Sequence, residues 1–167
     1  RGRLFGEEPV TDAAKLADIL LDSIRPLMDL PFALYGHSNG AIIAYELTKR
    51  LSGILLREPE VVFLAAKRSP GLGTETPIHK LPTAEFIDVL RSYRGTPDVI
   101  LNTPGLLDVY LPVLRADFAL GENYCLGASA PIEAPCCLFA GAEDQVCKTD
   151  EVAAWSPLFR QPPAFHT

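Results

Sequence analysis

The sequence feature that most constrains the fold is a glycine-serine pattern between two apolar segments. Gly36-His-Ser-Asn-Gly40 matches G-x-S-x-G, with an apolar run over Phe32–Tyr35 before it and a helical pattern over Ala41–Leu51 after it. A strand, a sharp turn and a helix in direct succession hold a serine in a strained conformation with its Oγ above a sheet, and the two glycines leave room for neighbouring backbone. The pattern therefore predicts Ser38 as a nucleophile; the alternative is a glycine-rich turn with an inert serine.

The residue after the serine carries a second prediction. Ser38 lies at the N-terminus of the predicted helix, where the helix dipole and the backbone N–H groups favour a developing oxyanion. The backbone N–H of Asn39 is therefore the predicted oxyanion donor.

Apolar runs elsewhere in the chain predict a mostly parallel β-sheet. Val61–Ala66 and Ala134–Ala140 are continuous β-prone segments, as in parallel strands covered on both faces, and Ala164–Thr167 begins a last strand. An amphipathic helix of about four turns follows Thr11-Asp12, and a shorter helix covers Glu151–Trp155. These elements predict an α/β fold with helices on both faces of the sheet.

Residues 69 to about 126 predict a helical insertion within a single domain spanning residues 1–167. Thr83–Tyr93 and Leu106–Gly121 have helical patterns with no strand between them, and proline-glycine pairs mark the loops. Helical insertions of this kind commonly form lids over active sites. Helices that only pack on the sheet surface are the alternative.

An acidic loop follows the third predicted strand. A serine nucleophile needs a base, and the base needs an orienting carboxylate, in the chain order Ser, then Asp or Glu, then His. Asp144 fits the second place because it follows an apolar strand and a glycine, at the end of the sheet where α/β proteins bind ligands. Glu143 is its nearest competitor, and a solvated loop is the alternative for both.

Three histidines are candidates for the base, and none of them fits well. His37 lies inside the glycine-serine pattern, where its side chain points away from the serine. His79 precedes Asp144, against the expected chain order, and His166 lies in an apolar run. We expect His166 to be a side chain on a short strand.

Charge and cysteine content exclude several classes of protein. The formal net charge is −6 and the sequence pI is about 5.0, which leaves no positive field for nucleic acid or anionic lipid. No segment has the roughly 18 continuous apolar residues of a membrane span, and the first residues lack the apolar stretch of a signal peptide. We expect a soluble, cytoplasmic protein without a metal site. The cysteines lack metal-ligand spacing and are predicted to be reduced structural thiols: Cys125, Cys136, Cys137 and Cys147.

Several segments of the chain carry a family resemblance. Pro31–Leu51 is similar to Pro-Phe-Ala-Leu-Phe-Gly-His-Ser-Met-Gly-Ala with a following Glu-Leu-Ala-Arg-Arg-Leu, and Ala65–Pro70 to Ser-Gly-Arg-Arg-Ala-Pro. Leu111–Phe118 is similar to Pro-x-Leu-Arg-Ala-Asp-Phe, and Gly141–Asp144 with Ala153–Trp155 to a Gly-x-x-Asp and Ala-Ala-Trp region. Together these segments resemble the type II thioesterases that accompany polyketide and non-ribosomal peptide synthetases.

The resemblance implies an α/β-hydrolase fold and hydrolysis of acyl thioesters on the phosphopantetheine arms of acyl or peptidyl carrier domains. This activity would clear stalled or mis-primed synthetases. Ser38 would be the nucleophile and Asp144 the acid of the triad, without a metal or cofactor. The insertion over residues 69 to 126 would be a lid that gates access of the acyl group.

The resemblance also implies that the chain lacks both ends of the family's domain. The family's catalytic histidine lies in a Gly-Gly-His-Phe segment that is expected after Thr167. Arg1-Gly-Arg resembles a stretch after the family's first strands, so the second oxyanion donor would lie upstream. Asn39 replaces the commoner Met and is expected to tune the pocket. We expect residues 1–167 alone to be nearly inactive.

The sequence leaves four alternative functions to weigh. Within enzymes, the alternatives are a releasing thioesterase domain fused to a synthetase and a medium-chain fatty-acyl thioesterase of the same fold. A non-enzymatic alternative is a hydrolase-like module that binds carrier proteins without turnover, but the intact pattern around Ser38 argues against it. A generic lipase or esterase is disfavoured by the Leu-Arg-Ala-Asp-Phe segment of the predicted lid.

Overall fold

The structure, a computed structural model, describes residues 6–54, 58–73 and 76–167. Arg1-Gly-Arg, which carries part of the family resemblance, lies outside these residues. Helices and strands follow in this order: α1 (Ala13–Ile24), β1 (Ala33–His37), α2 (Asn39–Ile54), β2 (Val61–Ala65), α3 (Thr83–Tyr93), α4 (Asp98–Asn102), α5 (Pro104–Glu122), β3 (Cys136–Phe139), α6 (Thr149–Ala153) and β4 (Ala164–His166). Single 3-10 turns cover Arg25–Leu27, Pro70–Leu72, Ile78–Lys80 and Ser156–Leu158.

The described strands form one parallel sheet in the order β1-β2-β3-β4. The register of the sheet pairs Gly36 of β1 with Leu64 of β2, and Leu64 with Leu138 of β3. These three residues form one row across the sheet. These residues are buried, and α2 packs against β1 and β2. In the neighbouring rows, Tyr35 of β1 and Phe139 of β3 are exposed. The predicted parallel sheet is therefore confirmed.

The first two strands differ from their predicted boundaries. β1 runs to His37, two residues beyond the predicted end at Tyr35, because its hydrogen-bonded ladder with β2 continues to that point. β2 ends one residue before the predicted Ala66, because Ala66 has a φ of 48°. This left-handed conformation does not occur in a regular strand.

The chain divides into two compact units. The smaller unit contains the described residues of Arg1–Asp12 and Thr74–Asn123, and the larger unit contains those of Ala13–Gly73 and Tyr124–Thr167. The sheet lies in the larger unit. Its core includes the fully buried Trp155, whose ring meets that of Tyr45 edge-on with centroids 5.4 Å apart.

The smaller unit is built from helices α3, α4 and α5. Its core contains Phe86, Leu90 and Leu101, and Phe118 of α5 meets the Phe86 ring edge-on at 5.3 Å. The sequence pattern does not predict α4, a five-residue helix that follows a proline. Among the described helices, none is long and apolar enough to cross a membrane. The role of these helices as a lid stays a prediction.

Polar contacts join the segment before α3 to the end of α5 within the smaller unit, which we call the helical unit. The Glu122 carboxylate accepts hydrogen bonds from the backbone N–H groups of Ile78 and His79, at 2.9 and 3.0 Å, and contacts Nδ1 of His79. Arg115 donates to the carbonyl of His79 at 2.7 Å, and its guanidinium lies over the Phe86 ring. His79 and the Leu-Arg-Ala-Asp-Phe segment therefore have structural roles within this unit.

A buried carboxylate on α2 joins three segments of the larger unit. Glu46 is 4% exposed, and its carboxylate accepts hydrogen bonds from Lys49 at 2.8 Å and from Arg50 and Tyr124. Arg50 also donates to Asp18 at 2.6 Å, which links α2 to α1. Burial raises the pKa of Glu46, but its hydrogen bonds lower it by more, so that the pKa lies below its ordinary value of 4.5.

Glu46→Gln tests this network through the pH dependence of stability. Because the pKa of Glu46 is lower in the folded chain, its stabilising contribution is complete well above its ordinary value and is lost as the pH falls through the folded pKa. We expect the substitution to lower the free energy of unfolding by about 1–3 kcal/mol at pH 7. The difference from wild type should shrink as the pH falls below the ordinary pKa of a glutamate.

Urea denaturation across this pH range measures the effect. Glu60→Gln, which changes an exposed carboxylate just before β2, is the matched control. Equal effects of the two substitutions at neutral pH would contradict the role assigned to Glu46.

Candidate active site

Ser38 lies in a left-handed turn between β1 and α2. Its φ is 53°, a conformation that costs a non-glycine residue about 1–2 kcal/mol. Its N–H donates to the carbonyl of Ala65 at 2.9 Å, and its carbonyl accepts from the N–H of Ala41 at 2.9 Å. Ser38 is exposed. The predicted succession of strand, sharp turn and helix is therefore present, with the serine at the turn.

The two glycines of the pattern differ in how closely other backbone atoms approach them. A Cβ on Gly36 would lie 2.1 Å from the carbonyl oxygen of Gly40 and 2.6 Å from the nitrogen of Ala41, so only glycine fits at this position. A Cβ on Gly40 would meet nothing within 4 Å in the part of the chain that the structure describes. The prediction that the glycines leave room for backbone is therefore right for Gly36 and wrong for Gly40.

Asn39 is the first residue of α2. The N–H groups in the first turn of a helix have no acceptor within that helix, and the helix dipole adds partial positive charge there. The side-chain carbonyl of Asn39 accepts a hydrogen bond from Nζ of Lys67 at 2.9 Å. Backbone and lysine together make this edge of the sheet favourable for a negative charge. The sequence pattern does not single out Lys67, whose one signal is its place just after a strand.

Asp144 lies in the loop after β3, where backbone N–H groups fix its carboxylate. Its Oδ1 accepts hydrogen bonds from the N–H of Val146 at 2.8 Å and of Cys147 at 3.0 Å. Within residues 6–54, 58–73 and 76–167, its Oδ2 has no hydrogen-bond partner. The competing Glu143 is exposed and uses its backbone carbonyl to bind Gln145. The geometry favours Asp144 for orienting a base, a role that stays a prediction.

Ser38 and Asp144 follow strands that end at the same edge of the sheet. Ser38 comes directly after β1 and Asp144 comes shortly after β3, with β2 between these strands. Two strand spacings amount to roughly 10 Å. A further group is therefore needed to pass a proton from the serine and to receive the carboxylate's hydrogen bond.

The described histidines do not supply that group. His166 is the last residue of β4, and its ring stacks on Phe139 with centroids 5.1 Å apart. The strand register places it level with His37, the residue before Ser38, but three strands away, roughly 14 Å. His79 belongs to the network of the helical unit, and His37 is exposed at the end of β1. The expectation that His166 is a strand side chain is confirmed.

Two buried cysteines are poor nucleophiles. Burial raises the pKa of Cys147 to about 11 and that of Cys136 to about 12, so neither is a thiolate near neutral pH. All four cysteines are free thiols, although Cys125 is exposed and does not fit the prediction of a structural role. Among the residues described here, no three potential metal ligands cluster together.

Comparison with known proteins identifies a family. A family model described as a thioesterase domain matches residues 1–167. The gramicidin S biosynthesis protein GrsT of Aneurinibacillus migulanus is 33% identical over 150 residues, which are 89% of this chain and 59% of GrsT.

Solved structures agree with that match. YbtT, the type II thioesterase from the yersiniabactin NRPS/PKS biosynthetic pathway, has a TM-score of 0.89 at 28% identity and covers 99% of this chain and 69% of its own. The RedJ thioesterase from the prodiginine pathway in Streptomyces coelicolor has a TM-score of 0.86 at 29% identity, covering 99% of this chain and 62% of its own. The α/β-hydrolase fold is therefore confirmed. The chain spans only part of the length of these relatives, for example 59% of GrsT.

Gly36→Ala and Gly40→Ala form a matched pair that tests the turn. We expect Gly36→Ala to lower the free energy of unfolding by at least about 3 kcal/mol, because its methyl group would overlap the start of α2. Gly40→Ala should remain within about 1 kcal/mol of wild type, since alanine favours a helix and has space there. Urea denaturation measures both. Equal stabilities of the two variants would contradict the close approach at Gly36.

Proposed function

The chain belongs to the thioesterase domain family, and from this membership we propose that the protein cleaves acyl thioesters with Ser38 as the nucleophile. The observation that carries the proposal is the left-handed turn that exposes Ser38 directly before α2. A serine Oγ in this position can attack a carbonyl carbon while backbone N–H groups stabilise the resulting oxyanion.

The proposed substrates are acyl groups held as thioesters on the phosphopantetheine arms of acyl or peptidyl carrier domains. Two similar proteins support this choice, since GrsT is a gramicidin S biosynthesis protein and YbtT a type II thioesterase from an NRPS/PKS pathway. Removing such groups clears stalled or mis-primed synthetases. Carrier domains are thus the proposed partners. The proposed location is the cytoplasm, because the free cysteine thiols are typical of a reducing compartment.

The first step transfers the acyl group to the serine. Ser38 Oγ attacks the thioester carbonyl carbon, and its proton passes to a general base. The carbonyl oxygen takes up an electron pair and is held by the Asn39 N–H. The oxyanion then returns to a carbonyl, the C–S bond breaks, and the sulfur receives the proton from the base. The products are acyl-Ser38 and the free pantetheine thiol.

The second step releases the acid. Water attacks acyl-Ser38 while the base takes its proton, the bond to Oγ breaks, and Oγ regains a proton. Asp144 is suited to orient the base through Oδ2, because Oδ1 is already held by two backbone N–H groups. We propose a histidine outside residues 1–167 as that base, in line with the Gly-Gly-His-Phe segment of the family.

Ser38→Ala tests the nucleophile. We expect thiol release from an acyl-pantetheine thioester to fall at least about 1,000-fold, because the covalent route is removed. Labelling by a fluorophosphonate should be lost as well. Ser23→Ala, at an exposed position on α1, is the control that should keep the wild-type rate. Both are measured on the protein as its natural host produces it, and undiminished turnover by Ser38→Ala would refute the proposal.

Asp144→Asn tests the acid. An asparagine can still accept the hydrogen bonds from Val146 and Cys147, so the loop should keep its shape while the negative charge is lost. We expect kcat to fall roughly 1,000- to 10,000-fold with little change in stability. Glu143→Gln is the matched control and should retain wild-type kcat. The reverse pattern, with Glu143→Gln inactive and Asp144→Asn active, would transfer the role to Glu143.

A further inference from the structure

A hydrogen bond next to Ser38 joins a lysine to the residue that is proposed to bind the oxyanion. Nζ of Lys67 donates to the side-chain carbonyl of Asn39 at 2.9 Å. We infer that Lys67 is a positioning residue for the proposed thioester cleavage, because it holds Asn39 and adds positive charge close to the developing oxyanion. The inference rests on the proposed function, since it concerns the same site.

Hydrogen bonds fix the backbone at Lys67 and at the residue before it. The preceding Ala66 is left-handed, and its N–H donates to the carbonyl of Phe139 at 2.9 Å. The indole N–H of the fully buried Trp155 donates to the Lys67 carbonyl at 2.7 Å. The lysine side chain therefore extends towards Asn39 from a rigid support, as groups that position an active site require.

Asn39 couples this support to the reacting atoms. Its Cα lies about 3.8 Å from that of Ser38, because the two residues are consecutive. A hydrogen bond from an ammonium group is charge-assisted and stronger than a neutral one, so it restrains Asn39 and the first turn of α2. Lys67 is half-buried, and solvent therefore screens its charge only in part. Both effects favour the oxyanion over bound substrate and should act on kcat more than on KM.

Arg68, the next residue, makes different contacts from those of Lys67. Nε of Arg68 donates to the carboxylate of Glu151 at 2.9 Å, and Nη1 donates to the carbonyl of Gly73 at 2.7 Å. These bonds hold the loop after β2 against the start of α6. Loss of Arg68 should therefore affect the stability of this loop, whereas loss of Lys67 should affect turnover.

The pair also departs from the family pattern that the sequence resembles. Where this chain has Asn39, that pattern has a methionine, and where it has Lys67, an arginine. A thioether is only a weak hydrogen-bond acceptor, so a methionine at position 39 cannot form the same bond with a cation at position 67. The Asn39 amide therefore gives Lys67 a hydrogen-bond acceptor that a methionine would not supply.

A double-substitution cycle on the protein as its host makes it tests the inference. Lys67→Met, Asn39→Met and the double variant are compared with wild type in two assays. One gives kcat and KM on an acyl-pantetheine thioester, and the other gives the rate at which a fluorophosphonate labels Ser38. We expect each single substitution to lower kcat and the labelling rate about 10-fold, with KM within about twofold. The double variant should be no slower than the slower single variant, because both remove one interaction.

Two further variants separate the bond from general effects. Lys67→Arg should keep most of the activity, since a guanidinium can donate to the same carbonyl. Lys15→Met removes an exposed lysine on α1 and should leave both assays unchanged. Melting temperatures identify any variant that fails to fold. Should Lys67→Met be one of them, Lys67→Leu replaces it with the same expected loss of kcat, because leucine also has no hydrogen-bond donor in its side chain.

Three results would overturn the inference while leaving the proposed function intact. The first is a folded Lys67→Met with wild-type kcat and labelling rate. The second is a double variant whose loss is the product of the two single losses, and the third is a change confined to KM. A wild-type protein that neither releases thiol nor becomes labelled at Ser38 would instead overturn the proposed function, and this inference with it.

Discussion

The left-handed turn at Ser38 depends on the missing side chain of Gly36. The carbonyl oxygen of Gly40 occupies the place that a Cβ on Gly36 would need, at 2.1 Å. This close approach lets α2 begin one residue after the serine, with its N-terminus directed at the end of β1. Nucleophile and predicted oxyanion donor are therefore consecutive residues, positioned by backbone geometry rather than by flexible side chains.

The rest of the larger unit holds this turn in place. The N–H of Ser38 is bonded to the strand beside it, and the buried Glu46 joins α2 to Lys49, Arg50 and Tyr124. In the loop after β2, the carbonyl of Lys67 accepts a hydrogen bond from the indole N–H of Trp155. Rigid elements thus meet at the edge of the sheet where the strands end, which is where α/β proteins place their sites.

Local sequence patterns predicted most of the helices and strands. They did not predict the contacts between residues that are far apart in the sequence. The turn at Ser38 and the helix α3 follow from residues within one segment, since glycine spacing and a 3.6-residue period are local signals. The bonds from Lys67 to Asn39 and from Tyr124 to Glu46 join positions far apart in sequence, which periodicity does not encode. The helix α4 is too short to show a period. The motif also does not reveal that the backbone of Gly40 crowds Gly36, whereas a Cβ on Gly40 itself would have open space among the described residues.

Trapping the acyl-enzyme shows whether Ser38 is the nucleophile for thioesters. The protein as its host makes it is mixed with an acyl-pantetheine thioester, quenched in acid during turnover, digested and mapped by mass spectrometry. We expect the acyl mass on Ser38. Thiol release with an unmodified Ser38, or with the acyl group on a cysteine such as Cys125, would contradict it.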